Sequence, residues 1–245
     1  MRNKSGLILS VALLFSNASF ADTPWTYEGI HNGQQVWPSL SKDYLICDSG
    51  IKQSPVVIGS TEVADLPAMI FSYKSSKLTI RALEQMIRID VEAGNTLALG
   101  NEIYHLKAIE LHSPSEHMVR DRFHLMEIHL VHEDTQGKKL HVAVFVDSGG
   151  AHSALDTLAA GWPKAIGQTR DATMDPAALL PSSLGYYAYS GSLTYPPCTE
   201  NVEWRVLKQP IAISNKQLST FSRPHGRSAR LEQPIYGRTI YETSY

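Results

Sequence analysis

The sequence predicts a mainly β (α+β) fold in which a large, mostly antiparallel sheet carries short peripheral helices. Strand-like alternation recurs along the chain, as in QMIRIDVEAGNTLALG, where Ile87, Ile89 and Val91 alternate with polar residues. Helical periodicity is confined to two short segments, SALDTLAAGW and SNKQLSTFSR, with Ser153 and Ser214 as the expected N-caps. Many strands and few helices therefore indicate a sheet protein.

Individual strands can be placed from their boundaries. The alternating segment breaks at residues 93–95 (AGN) and resumes with Leu97 and Leu99, which predicts a β-hairpin. The run KLHVAVFVDSGG is almost continuously apolar and ends in glycines, as expected for a central strand. VEWRVLKQPIAIS reads as a further strand that stops at Pro210.

The N-terminus has the layout of a secretory signal peptide. Arg2 and Lys4 precede an apolar core from Leu7 to Phe15, and residues 19–21 (SFA) form a small-x-small cleavage site. A buried first helix is the alternative interpretation. We therefore expect residues 1–21 to be a signal peptide and residues 22–245 to form one domain, because no linker, charge block or repeat divides them.

The composition of the chain argues against two kinds of partner, a lipid bilayer and nucleic acid. No later segment reaches about 18 consecutive apolar residues, so we expect no membrane span in the mature protein. The formal net charge of -2 argues against binding nucleic acid through phosphate contacts. The short basic run SRPHGRSAR is explained by a solvated surface segment.

Cys47 and Cys198 are the two cysteines of the chain. In an exported protein such a pair suggests one disulfide, and closing so long a loop would stabilise the fold by about 4–5 kcal/mol. Two free buried thiols are the alternative. Without a CxxC spacing, the pair is a poor zinc signature.

The stretch from Ala108 to Asp134 holds five histidines and reads as two strands joined by a polar turn. Side chains two apart in a strand share a face, so Glu110 and His112 point one way, as do Glu127 and His129. If the strands pair, two imidazoles and a carboxylate could bind zinc with a fourth position open, while the second carboxylate orients a histidine. Ordinary polar residues on a solvated sheet face are the alternative.

Six segments in one order carry a resemblance to a known family: WTYEG at Trp25, QSPVVI at Gln53, LHSPSEH at Leu111, MEIHLVHED at Met126, YYAYSGSLTYPPCTENVEW at Tyr186 and QPIYGR at Gln233. Together they resemble the α-class carbonic anhydrases of the exported bacterial type. The resemblance implies a single domain around a large twisted sheet, with a conical cleft that reaches a zinc ion. It also implies a disulfide at the two cysteines and reversible hydration of carbon dioxide to bicarbonate.

The resemblance assigns roles residue by residue. His112 and His129 match the second and third zinc ligands, and Glu127 matches the carboxylate that accepts a hydrogen bond from the third. Thr194 matches the hydroxyl that orients the zinc-bound hydroxide, and Glu116 matches the acid that receives the threonine proton. Val131 and Leu193 match the apolar wall of the substrate pocket. His117 and His132 match framework positions, where they form hydrogen bonds and do not bind metal.

Four positions depart from the family pattern. Glu110 stands where the first zinc-ligating histidine is expected, and Ala108 replaces the glutamine that supports that histidine. Gln85 falls at the position of the proton-shuttling histidine. His141 falls at the base of the substrate pocket, where valine is usual, unless it lies instead on an exposed edge.

Zinc bound by two histidines and a glutamate is chemically reasonable, since other folds use that ligand set for catalysis. The carboxylate lowers the charge of the complex from +2 to +1, which should raise the pKa of the bound water and slow hydration. A catalytically silent relative with a binding role is the main alternative, and an esterase-like zinc hydrolase is a third. We expect a small-molecule substrate and a periplasmic or secreted location, and leave open whether the chain forms a homodimer.

Overall fold

The computed structural model of the protein describes residues 24–222 and 225–245. The predicted signal peptide at residues 1–21 lies outside the described residues. Within them, the chain is organised around a 13-stranded sheet, with a separate two-stranded pair beside it. Among the helices of this described part, none is long and apolar enough to cross a bilayer.

Fifteen strands are numbered in chain order. Their bounds are β1 Val57–Ile58, β2 Glu62–Val63, β3 Met69–Ser72, β4 Ser76–Ala82, β5 Ile87–Val91, β6 Thr96–Leu99, β7 Glu102–His112, β8 Met118–Val119, β9 Met126–Glu133, β10 Lys139–Ser148, β11 Thr169–Met174, β12 Tyr186–Ser192, β13 Glu200–Leu207, β14 Ile211–Ile213 and β15 Tyr241–Glu242.

The large sheet has the order β11-β4-β5-β7-β9-β10-β13-β12-β15-β2, with β14 beside β10 and with β6 joining β3 to β7. Most neighbours are antiparallel, whereas β10 runs parallel to β13 and β14, and β15 runs parallel to β2. β10 is the predicted central strand KLHVAVFVDS, and it is buried from residue 140 to residue 146. The predicted mostly antiparallel sheet is confirmed.

The predicted hairpin between β5 and β6 is wrong. β5 pairs with β4 and β7, while β6 pairs with β3 and β7. The reason is the length of β7, whose first half accepts β6 and whose second half accepts β5. The two short strands therefore lie end to end along one long neighbour, and residues 93–95 connect them without reversing the chain.

The helices are short and peripheral: α1 Trp37–Leu40, α2 Ile46–Ser49, α3 Ser153–Ala160 and α4 Asn215–Phe221, with 3-10 turns at Gln34–Val36, Lys42–Tyr44 and Pro176–Leu179. Ser214 caps α4 through a capping box with Gln217, as predicted. The prediction for Ser153 is wrong, because it is the first residue of α3 and the N-cap is His152. The strand expected to stop at Pro210 ends at Leu207 and resumes as β14.

The central strands separate an apolar face from a polar one. Ile109 and Leu111 of β7 join Ile128 and Leu130 of β9 in the main hydrophobic core. Alternation then directs the intervening side chains to the other face, where Glu110 lies opposite His129 across the pair. The backbone register thus sets the polar residues side by side.

Cys47 and Cys198 form a disulfide with an S–S distance of 2.05 Å. The bond joins α2 to the turn before β13, and Trp25, Tyr27 and Trp37 pack around it in a small aromatic core. The predicted disulfide is present, so the alternative of two free thiols is excluded.

Candidate metal centre

Three side chains from β7 and β9 converge on the polar face of the sheet. Glu110, His112 and His129 each offer a ligand atom, and these atoms lie within 4.8 Å of one another. All three residues are fully buried. We call them the donor cluster. The predicted convergence of two imidazoles and one carboxylate is therefore present in the structure.

Hydrogen bonds on the far side of each imidazole leave one nitrogen free. His112 Nδ1 donates to the Ser228 carbonyl at 2.6 Å, so its Nε2 carries the lone pair. His129 Nε2 donates to Glu127 Oε1 at 2.8 Å, so its Nδ1 is free. His112 Nε2, His129 Nδ1 and Glu110 Oε2 all lack a hydrogen-bond partner.

These free atoms fit a divalent cation. A buried polar atom without a partner costs about 1–3 kcal/mol, so three of them on these neighbouring residues are costly unless something binds there. Two imidazole nitrogens and a carboxylate oxygen are borderline-soft to hard donors that suit zinc. The donor set thus passes the chemical test for a metal site.

Glu127 lies behind the donor cluster and is fully hydrogen-bonded. Its Oε1 accepts from His117 Nδ1 at 2.6 Å and from His129, while Oε2 accepts the backbone N–H groups of Glu116 and His117 at 2.9 and 2.8 Å. Burial acts to raise the pKa of Glu127, but the adjacent His117 and the imidazole hydrogen bonds hold it well below its ordinary value. Glu127 therefore orients His129, as the sequence predicts.

His117, Glu127 and His129 form a second group of close donors, but their facing atoms are already bonded to one another. The other ring nitrogen of His117 contacts the Tyr189 hydroxyl at 2.6 Å. His132 Nε2 likewise contacts the Tyr73 hydroxyl at 2.6 Å. Both histidines occupy the hydrogen-bonding framework positions expected for them.

Glu116 and Thr194 are buried beside the donor cluster. Glu116 Oε1 accepts the Arg230 backbone N–H at 2.7 Å, and Oε2 has no hydrogen-bond partner. Burial raises the pKa of Glu116 to about 7, against the opposing effects of His129, the Arg230 N–H and the Thr194 hydroxyl. When it is ionised, the Glu116 carboxylate can accept a hydrogen bond from the Thr194 hydroxyl.

His141 faces the interior and not an exposed edge. It lies opposite Val131 in the β9–β10 register, is 1% exposed, and its ring centroid is 6.2 Å from that of His129. Neither ring nitrogen has a partner. Burial, followed by the charges of His129 and His132, holds the pKa of His141 well below its ordinary value. Val131 and Leu193 are buried as well.

Arg88, which sequence reasoning did not identify, contacts the donor cluster directly. Its Nη1 donates to Glu110 Oε1 at 2.5 Å, from the position opposite Glu110 in the β5–β7 register. The Tyr195 hydroxyl donates to the same oxygen at 3.2 Å. Burial alone would lower the pKa of Arg88, but the Glu110 charge raises it overall. Strand alternation would have located Arg88 once β5 was known to pair with β7.

The donor cluster adjoins a surface depression through two residues that hydrogen-bond Glu110. A surface depression of about 180 Å³ is lined by Trp25, Leu83, Gln85, Met86, Arg88, Tyr195 and Pro196. Arg88 and Tyr195 therefore stand between the depression and the buried donors, and the Trp25 ring lies parallel to Tyr195 at 6.0 Å. Gln85 is at the mouth, whereas Ala108 is buried below, two residues before Glu110.

A mixed sheet with a buried set of two histidines and a glutamate defines a candidate mononuclear metal protein. Comparison with known proteins is more specific, since residues 32–243 match the family model of the eukaryotic-type carbonic anhydrases. The carbonic anhydrase of Neisseria gonorrhoeae is 35% identical over 242 residues, covering 97% of this chain and 96% of that protein. The chain belongs to the α-class carbonic anhydrase family.

Solved structures agree on the fold. The α-carbonic anhydrase of Thermovibrio ammonificans, in complex with the inhibitor sulfanilamide, matches with a TM-score of 0.87 and 33% identity, covering 89% of this chain and 99% of that one. Dioscorin in complex with ascorbate matches with a TM-score of 0.83 and 26% identity, covering 89% and 97%. Dioscorin DB3L of Dioscorea polystachya is 31% identical over 255 residues, covering 96% of this chain and 93% of that protein.

Proposed function

We propose that the protein is a zinc-dependent carbonic anhydrase that interconverts carbon dioxide and bicarbonate with slow turnover. The observation that supports this is the set of three unpaired, buried donor atoms on Glu110, His112 and His129. Zinc held by three histidines in carbonic anhydrases lowers the pKa of a bound water to about 7, and zinc held by these residues would supply hydroxide in the same way, with a higher pKa because Glu110 is anionic.

Thr194 and Glu116 would orient the attacking group. The Arg230 N–H fixes Glu116 Oε1, and Glu116 Oε2 is free to accept the proton of the Thr194 hydroxyl. With its own proton so engaged, the Thr194 oxygen would accept a hydrogen bond from the nucleophile, so that a lone pair of the nucleophile faces carbon dioxide. Val131 and Leu193 would keep the substrate side dry, because their side chains are apolar and buried.

Three features support slow turnover. Gln85 has no titratable group, so it cannot relay protons from the site to solvent. Arg88 and Tyr195 separate the surface depression from the donors, so a substrate must displace them or pass between them. Glu110 adds a negative charge that an imidazole lacks, which disfavours forming hydroxide nearby.

Metal analysis and stopped-flow hydration on the purified protein test the proposal together. We expect close to one zinc per chain and a hydration rate above the buffer blank. Zinc at one equivalent without hydration would contradict the assigned reaction but not the site. Neither zinc nor hydration would contradict both.

Restoring the family ligand set is a sharper test. We expect the Ala108→Gln, Glu110→His variant to bind zinc, but with the Arg88 guanidinium left beside the new imidazole in place of its carboxylate partner. Adding Arg88→Gln should therefore raise hydration above that of the double variant. If the triple variant binds zinc and is no faster than the natural protein, Glu110 is not the limiting departure.

A catalytically silent binding protein is the second candidate. It is favoured by the complete burial of the donor cluster and by the guanidinium already paired with Glu110. A related structure, dioscorin, is in complex with ascorbate, so the fold also occurs bound to a small organic molecule. Titration calorimetry with ascorbate on the zinc-free protein tests this candidate. Saturable binding without hydration would support it.

The disulfide and the bacterial relatives suggest an exported protein. We propose a signal peptide at residues 1–21, one domain over residues 22–245, and a periplasmic or secreted location. Cell fractionation with a C-terminal tag and mass spectrometry of the mature N-terminus test these proposals. Sedimentation of the purified protein would determine whether it forms a homodimer.

A further inference from the structure

Glu110 and Arg88 form a direct ion pair across neighbouring strands. Arg88 Nη1 lies 2.5 Å from Glu110 Oε1, the Glu110 side chain is fully buried, and the Arg88 side chain is 30% exposed. Among residues 24–222 and 225–245, Arg88 is the only arginine or lysine within ion-pair distance of Glu110. A buried carboxylate without a counter-ion is strongly disfavoured, so this contact decides whether Glu110 is tolerated as an anion.

We propose that Arg88 is a built-in counter-ion for Glu110 and competes with a divalent cation for the charge of that carboxylate. The inference rests on the proposed function because it concerns the same donor cluster. In the metal-free site Arg88 balances the charge of Glu110, and the same guanidinium weakens zinc binding. Removing the Arg88 charge should therefore destabilise the metal-free protein and tighten zinc binding.

The other partner of Arg88 does not explain its position. Arg88 Nε donates to Asp90 Oδ1 at 3.2 Å, but the Asp90 side chain is 41% exposed and already pairs with Arg81 at 2.6 Å. The charge of Asp90 is therefore balanced by a second cation, Arg81, and by water. Glu110 has neither, so its charge depends on the Arg88 guanidinium.

The direction of the effect on zinc follows from two opposing contributions. Arg88 orients Glu110, and loss of an orienting partner typically weakens metal binding about 10–100-fold. Tyr195 donates to the same Glu110 oxygen at 3.2 Å, however, so the orientation persists when Arg88 is replaced. The like-charge repulsion between guanidinium and metal ion then disappears without compensation, and because the site is buried it is poorly screened.

Zinc affinity measured by competition with a chromogenic chelator at neutral pH tests the first consequence. We expect Arg88→Gln to bind zinc about tenfold or more tightly than the natural protein, and Arg88→Lys, which keeps the charge, to resemble the natural protein. Arg205→Gln is the matched control, because Arg205 is also partly buried and paired with a carboxylate, 3.4 Å from Glu203, away from the donor cluster. Its zinc affinity should not change.

Thermal unfolding of the chelator-treated protein tests the second consequence. We expect Arg88→Gln to lower the melting temperature by several degrees more than Arg205→Gln does. The Arg88→Gln, Glu110→Gln double variant should recover most of the loss, because no unpaired buried charge remains at position 110. If Arg88→Gln does not fold alone, the double variant should still fold, and its failure to do so would overturn the proposal.

The outcomes separate this inference from the proposed function. Arg88→Gln binding zinc no more tightly than the natural protein, or a melting temperature that Glu110→Gln does not restore, would overturn the counter-ion proposal. Tighter zinc binding by Arg88→Gln, with no hydration by any variant, would support the proposal and contradict the catalytic function instead.

Discussion

Two buried carboxylates flank His129, and their surroundings differ. Glu127 accepts four hydrogen bonds, two from imidazoles and two from backbone N–H groups, so both of its oxygens are in use. Glu110 has Arg88 and Tyr195 on one oxygen and no partner on the other. Both Glu127 oxygens are therefore hydrogen-bonded, whereas Glu110 has one hydrogen-bonded oxygen and one without a partner.

The difference shows how one strand pair can hold two unlike acids beside a shared histidine, with Glu127 two residues before His129 on β9 and Glu110 opposite it on β7. Glu127 belongs to β9 itself, and the segment between β7 and β8 brings the backbone N–H groups of Glu116 and His117 to its carboxylate. Glu110 depends instead on side chains from β5 and from the Thr194–Tyr195 turn. A buried carboxylate with both oxygens hydrogen-bonded stabilises the fold, whereas one with an unpaired oxygen is available for a ligand.

Replacing Glu127 should give the largest effect. Glu127→Ala removes the acceptor for two imidazoles and two backbone N–H groups, so we expect a loss of about 3–5 kcal/mol in the free energy of unfolding. Glu110→Gln should cost about 1 kcal/mol, because the partly exposed Arg88 keeps Asp90 and water as partners. Urea unfolding of the zinc-free proteins gives both values, and equal losses would abolish the distinction between the two acids.

The same contrast predicts the response to acid. Because the folded-state pKa of Glu127 is depressed, its contribution to stability is complete above the unfolded-state pKa of about 4.3 and is lost as pH falls towards the folded-state value. Unfolding free energies measured from pH 6 downwards should therefore fall less steeply in Glu127→Ala than in the natural protein. Parallel curves would show that Glu127 does not carry the acid sensitivity.

Glu116 should act in the opposite direction. Burial raises its folded-state pKa to about 7, so the folded protein binds a proton that the unfolded chain has released above about pH 4.3. The zinc-free protein should therefore lose roughly 3 kcal/mol of stability between pH 4.3 and pH 7 through this group alone. Glu116→Gln should flatten that part of the curve, and an unchanged slope would assign it to another residue.

The smallest effect concerns two buried histidines that differ in pairing. His141 has two unpaired ring nitrogens, so His141→Val should raise the unfolding free energy by about 1 kcal/mol. His132 contacts the Tyr73 hydroxyl at 2.6 Å, so His132→Val should lower it by a similar amount. Denaturant midpoints measure both, and a loss in His141→Val would indicate a partner for that imidazole.

Local patterns predicted much of the site. Alternation predicted that Glu110 and His112 share one face of β7 and that Glu127 and His129 share one face of β9, because side-chain direction in a strand depends on spacing. Their convergence depended on the pairing of the two strands, which the structure shows. The resemblance to carbonic anhydrases added Glu116 and Thr194. Both lie outside β7 and β9, so strand alternation makes no prediction for them.

Arg88 and Tyr195 were not predicted because their importance depends on non-local pairing. The sequence favoured β6 as the neighbour of β5, and that arrangement would have left Arg88 far from Glu110. The choice was decided by the eleven-residue length of β7, which accommodates both strands end to end. An ion pair between side chains of two neighbouring strands can be predicted only when the order of the strands in the sheet is known.

The Cys47–Cys198 bond has a consequence for the entrance. The Cys198 amide donates to the Tyr195 carbonyl at 2.8 Å, and Leu193 N–H donates to Thr199, so the sulfur bridge anchors a tight turn that carries both Thr194 and Tyr195. Reduction of the disulfide should therefore loosen two residues at once, Thr194 beside the donor cluster and Tyr195 at the surface depression.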